Sequence, residues 1–232
     1  MGGDAVEMSW NGILDLLYHG RLTTIPLGVL SVVVFAIAIE RLFKYRGLEK
    51  ATRELTRKLV DVLVRRDLSA ARTLCEASKT PMAEVFGEGL RWRDIALEDL
   101  SEVLHTSRQE ALSELRRGVW FIGTIGSLAP YIGLLGTVIG IMVAFGAIAQ
   151  SGDAGFDVVS AGISEALIAT AVGLLVAITS LALFNWLQVI VNGIAATFSR
   201  ASERFVQALL FVESAAPAAG GSADGDDAAS GD

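Results

Sequence analysis

The sequence predicts an all-α integral membrane protein with three transmembrane helices and long cytoplasmic helical extensions, N-terminus outside and C-terminus in the cytoplasm. Three observations carry this. Residues 22–39, 118–152 and 166–199 contain no charged side chain, and each run reaches the length that a hydrocarbon core about 30 Å thick demands of a helix. The basic residues cluster between the first two runs: of 19 Lys+Arg in the chain, 16 lie from Arg41 to Arg117. No stretch shows the period-two alternation of a half-buried strand.

Taken in order, residues 1–21 read as a short interfacial helix on the outer leaflet. Met8, Ile13, Leu14, Leu17 and Tyr18 recur at roughly helical spacing, and Trp10 suits an anchor at the headgroups. A cleavable leader is not expected, because Asp4, Glu7 and Asp15 precede the apolar run with only Arg21 to oppose them. Residues 22–39 form the first span. Residues 40–117 read as cytoplasmic helices, with Leu48, Leu55, Leu59, Val62 and Leu63 on one stripe and a break at Ser78-Lys79-Thr80-Pro81. After Met82 the helical pattern runs on without a strong breaker into the second span, 118–149 with its cytoplasmic extension. Residues 150–157 form a periplasmic link, and 158–199 the third span with its extension. Residues 200–214 end that helix, and the Ala-, Gly-, Ser- and Asp-rich stretch 215–232 is expected to be disordered. The link carries Asp153 and Asp157 and no basic residue, while Arg200 and Arg204 follow the third span. The excess of positive charge therefore marks the cytoplasmic side.

Composition removes several function classes. The net charge of -7 and the lack of a basic groove motif speak against a nucleic-acid partner. Cys75 is the single cysteine, so one chain holds neither a disulfide nor a thiolate metal cluster. His19 and His105 are far apart and belong to no metal-ligand pattern. The expectation is a protein that is not an enzyme and carries no cofactor, with the lipid bilayer as its first partner.

The second and third spans align as an antiparallel hairpin about the 150–157 link, so that residues whose numbers sum to about 307 lie level. Thr137 then meets Thr170, and Trp120 meets Trp186 near the cytoplasmic interface, where tryptophan is favoured. Each span carries a stripe of small residues: Gly126, Ala129, Gly133, Gly136, Gly140, Ala144 and Ala147 in one, Gly162, Ala166, Ala169, Gly173, Ala177 and Ser180 in the other. Steps of three and four hold each set on one helix face. Small faces let helices approach closely in lipid, and ordinary helix packing is the first meaning of such stripes. Pro130 bends the second span in this reading by freeing the carbonyl of Gly126.

Glu165 is the ionisable residue set well inside a span. A charged side chain at membrane depth costs at least about 2.5 kcal/mol, so it should face a wet cavity, be protonated or find a partner. It lies five residues outward of Thr170, roughly 7.5 Å along the helix. A proton or cation site is the functional reading of Glu165; a structural hydrogen bond is the plain one. The threonines signal less, because span threonines commonly bond their own helix carbonyls.

The segments APYIGLLGTVIGIMVAF, 129–145, and GISEALIATAVGLLVAI, 162–178, strongly resemble the ExbB/TolQ/MotA family in its three-span ExbB/TolQ branch; IERL at 39–42 adds to the match. The resemblance implies a homo-oligomer, a helical pentamer around single-span helices of an ExbD/TolR-like partner. It also implies a TonB- or TolA-like protein beyond that, and use of the proton-motive force in the cell inner membrane. Mapped by motif, Thr137, Glu165 and Thr170 correspond to the family's ion-pathway residues. The coupling ion implied is the proton, with sodium as the alternative. Where the family commonly has a proline after AI in the third span, this chain has Thr179, followed by Phe184-Asn185 for Tyr-Asn; a straighter third span is the expectation. Two other classes share the membrane setting. A stand-alone channel would need more polar residues than these spans offer, and a purely structural scaffold would not need Glu165.

Overall fold

The computed structural model describes residues 21–151 and 156–214, all in helices and short turns; no strand occurs among them. The expected outer interfacial helix, the centre of the link and the expected disordered tail lie outside the described residues. The helices are α1 Arg21–Tyr45, α2 Leu48–Val64, α3 Leu68–Ala77, α4 Pro81–Arg91, α5 Leu97–Arg116, α6 Val119–Ser151 and α7 Phe156–Ser214. Three helical segments are long and apolar enough to cross a membrane: one beginning at Thr24, Val119–Gly146, and one beginning at Ser160.

The chain divides into two compact units, residues 1–45 with 116–191 and residues 46–115 with 192–232. In the first, α1 packs on α6. Thr24, Leu27, Val34 and Ala38 are buried in it, at steps that keep them on one helix face. Its outer surface is apolar: Val29, Val32, Tyr131, Leu134, Met142, Val143, Leu167, Leu175 and Ile178 are exposed. A surface of this kind fits lipid or further protein rather than water.

The second unit is a small helical domain with an ordinary core. The α2 stripe buries Leu55, Leu59 and Leu63, and Thr52 and Thr56 complete the face. α2 packs on α3 and α3 on α4; Gly89 of α4 faces Leu104 of α5 and Phe205 of α7, and the rings of Phe86 and Phe205 lie 5.1 Å apart. Asp67 caps α3, its carboxylate accepting from the Ala70 N–H at 2.9 Å and the Ser69 hydroxyl at 2.6 Å, which holds its pKa below the usual carboxylate value. Pro81 starts α4, as a residue with no N–H to lose can.

The break at 78–81 stands where the sequence predicts it. The continuous helix expected from Met82 into the second span does not. It is interrupted between Arg91 and Leu97 and again at Gly118. The first interruption has a start signal in Glu98 and Asp99, which suit the positive end of α5. The second is a left-handed glycine, φ 83°, directly after two arginines; that is a common helix stop.

The candidate site: a small-residue seam flanked by a glutamate and two threonines

Helices α6 and α7 approach so closely along their small faces that side chains would collide. A methyl group placed on Gly173 would lie 2.8 Å from the Ala129 carbonyl oxygen and 3.0 Å from the Gly133 Cα. One on Gly133 would lie 3.0 Å from the Ala169 oxygen, and one on Gly126 would lie 2.9 Å from Leu181. Gly140 meets Ala166 and Gly162 meets Ala144, each at 2.8 Å by the same measure. Gly136 and Ala177 are buried as well. Several of these contacts, Gly126 with Leu181, Gly133 with Gly173, Gly140 with Ala166 and Ala144 with Gly162, pair residues whose numbers sum to 306 or 307.

The three polar residues flank this seam, each half-buried. The Thr170 hydroxyl donates across it to the Gly133 carbonyl at 3.0 Å, one turn nearer the start of α6 than its level partner Thr137. Thr137 instead donates to its own helix, to the Leu134 carbonyl at 2.7 Å. Glu165 pairs with no side chain among the described residues. At 100° per residue it points about 140° around α7 from Thr170, with the seam between them. The structure therefore brings Thr170 and the second span together, and it sets Glu165 on the other flank.

Some other hydroxyls in the spans serve their own helices: Thr124 bonds Trp120 and Ser127 bonds Gly123, whereas the Ser180 hydroxyl is buried in the seam without a hydrogen-bond partner. Thr179 donates to Leu175 at 2.8 Å and Val176 at 3.1 Å. A threonine there keeps the backbone N–H that a proline would lack, and α7 runs unbroken through it. Pro130 also lies inside a continuous helix, α6.

One group was legible only as part of a motif. Arg41, near the C-terminal end of α1, has a side chain 12% exposed, and its Nε and Nη1 are buried without a hydrogen-bond partner; Nη2 reaches Glu40 at 3.2 Å. Burial pushes the nearby Tyr45 phenol up, against the opposing pull of the Arg41 charge. The sequence signal is the charged pair Glu40-Arg41 directly after an apolar run.

Among the described residues no cluster of His, Cys, Asp and Glu is arranged to hold a metal. What the flanks of the seam offer is the Glu165 carboxyl and the Thr137 and Thr170 hydroxyls beside a tightly closed helix pair.

The model of the MotA/TolQ/ExbB proton channel family matches residues 77–200. The chain belongs to that family. The matched region contains Thr137, Glu165 and Thr170 and nearly all of both long spans. Among curated relatives, the biopolymer transport protein ExbB of Pseudomonas putida is 31% identical over 208 residues, 83% of this chain and 59% of that protein. The Tol-Pal system protein TolQ of Haemophilus influenzae is 39% identical over 106 residues, 46% of each chain. The putative ExbB-like protein 1 of Synechocystis is 31% identical over 177 residues, 75% of this chain and 69% of the relative. The chain thus spans about half to three-fifths of the first two relatives. Relatives named ExbB and TolQ set it in the ExbB/TolQ branch of the MotA/TolQ/ExbB family, and with its apolar helices it is a multi-pass membrane protein.

Proposed function

We propose that this chain is the inner-membrane channel subunit of an ion-driven motor, a device that does mechanical work and catalyses no covalent reaction. Its copies form a ring, a pentamer, with the N-terminus in the periplasm and the C-terminus in the cytoplasm. Single-span helices of an ExbD/TolR-like partner sit inside, and the proton-motive force moves them. The work passes to a TonB- or TolA-like protein for biopolymer transport or for the Tol-Pal system, as the names of the relatives indicate. The proton is the coupling ion.

The observation that carries this reading is Glu165, half-buried inside an otherwise uncharged span and unpaired among the described residues. One acid cannot relay a proton across about 30 Å. It needs further groups, which neighbouring copies and the partner helices supply. A proton crossing 100 mV delivers about 2.3 kcal/mol, so useful work draws on several.

The experiment is Glu165→Gln in cells lacking the native protein, reading proton flux and complementation alongside membrane level and oligomer size. Glutamine keeps volume and hydrogen bonding but cannot ionise. The expected result is normal insertion and assembly with flux and complementation lost. Full activity at normal expression would remove Glu165 from the pathway.

A further inference from the structure

Within the second unit, α2 and the inner part of α7 enclose a cavity of about 240 Å³ lined by Arg53, Thr56, Thr197, Arg200, Ala201 and Arg204. We propose that this cleft is a binding site for a phosphoryl group, carried by a soluble phosphorylated compound or by a phospholipid headgroup.

The lining is built from two matching pairs, Arg53 with Thr56 one turn on along α2 and Thr197 with Arg200 one turn on along α7. Arg204 follows Arg200 at the next turn of the same face. Both threonines are 3% exposed, so polar side chains form the buried wall. Thr56 spends its proton on the Thr52 carbonyl at 2.7 Å and presents only lone pairs. The Thr197 oxygen faces Arg200 Nη2 at 3.4 Å, leaving its own proton free to donate. The guanidiniums open to solvent, which gives a ligand its way in.

No carboxylate lines the cavity. Glu49 takes Arg53 at 3.2 Å, and Glu203 turns to Ser199 at 3.2 Å. Among the described residues no carboxylate pairs with Arg200 or Arg204. Three formal positive charges less the one on Glu49 leave two. Like charges one turn apart on a helix repel unless an anion lies between them. A phosphomonoester carries between one and two negative charges near neutrality. Its tetrahedral oxygens can be gripped from two helices at once, whereas a planar carboxylate is satisfied by a single bidentate arginine.

The test uses the full chain in nonionic detergent at about 0.15 M sodium chloride. Calorimetric titrations with inorganic phosphate and with dihexanoyl phosphatidylglycerol form separate arms. Saturable binding should weaken about tenfold or more in the Arg200→Gln/Arg204→Gln double variant. It should be kept in Arg57→Gln, an exposed arginine of α2 outside the cleft. Arg200→Lys, which keeps the charge but loses the planar fork, should fall between. Binding of phosphate assigns a soluble ligand; binding of the lipid alone with the same variant pattern assigns a headgroup. Either supports the site. The proposal fails if neither probe binds saturably, if Arg57→Gln loses as much as the double variant, or if assembled double variant binds like the native chain.

Discussion

The hydroxyl of Thr170 donates to the backbone carbonyl of Gly133, 3.0 Å away on the neighbouring span. A side chain that the family resemblance places in an ion pathway is in this structure a tie across the helix seam. Thr170→Val keeps the shape and removes the tie. The Gly133 carbonyl retains its place in the α6 ladder, so the loss should be small, about 0.6 kcal/mol and no more than about 1.7. Reversible unfolding in mixed micelles measures this. A larger loss would mean that the hydroxyl anchors more than one bond.

Gly173 should tolerate nothing larger. The atoms facing it are backbone, at 2.8 and 3.0 Å from a would-be methyl, and cannot swing away. Gly173→Ala is expected to cost about 1–3 kcal/mol, the range for overpacking, and to lower the melting temperature of the detergent-solubilised protein. Gly28→Ala is the matched control, since nothing lies within 4 Å of its added carbon. It should be neutral or slightly stabilising, because alanine is the better helix former. Equal effects from the two would dissociate stability from the seam.

At Gly118 the limit is conformational. The nearest atom to an added methyl is 3.7 Å away, yet φ is 83°. Gly118→Ala should cost about 1–2 kcal/mol from the left-handed backbone alone, and Gly118→Asn less. A melting curve that ranks alanine above asparagine would contradict the turn.

Cys75 should resist alkylation. Burial raises its pKa to about 11, with Glu76 adding to the shift. The reactive thiolate is then roughly one part in a hundred at pH 9, where an ordinary cysteine is mostly ionised. Maleimide labelling of the native protein should stay slow from pH 7 to 9 and become fast on denaturation. Rapid labelling at pH 7 would show an open, ionised thiol.

The spans and their register were legible because uncharged length and small-residue spacing are coarse signals that the bilayer enforces. The α6–α7 contacts at sums of 306 and 307 follow from counting outward from the link. The interruptions at 92–96 and at Gly118 were not legible as stops, since a helical pattern on both sides hides a short turn whose evidence is local capping chemistry. The burial of Arg41, which the sequence shows only as part of IERL, and the Arg53, Arg200, Arg204 cleft were beyond sequence reasoning for another reason. Residues 147 or more positions apart come together only through packing, and an orphaned guanidinium nitrogen is a fact of burial. Thr137 behaved as span threonines do, bonding its own helix, while Thr170 did not; spacing alone cannot separate the two.

Glu165 and Thr170 face opposite ways from the seam, and this gives the hairpin a left and a right. One edge carries an acid and the other carries hydroxyls. In the proposed ring, such hairpins repeated in one order would give the circle a clockwise that differs chemically from its anticlockwise. A pore lined evenly would look the same to an ion from either neighbour. In that proposed ring the circumference itself would have polarity, an asymmetry that a device turning a gradient into directed motion requires and that a simple hole does not.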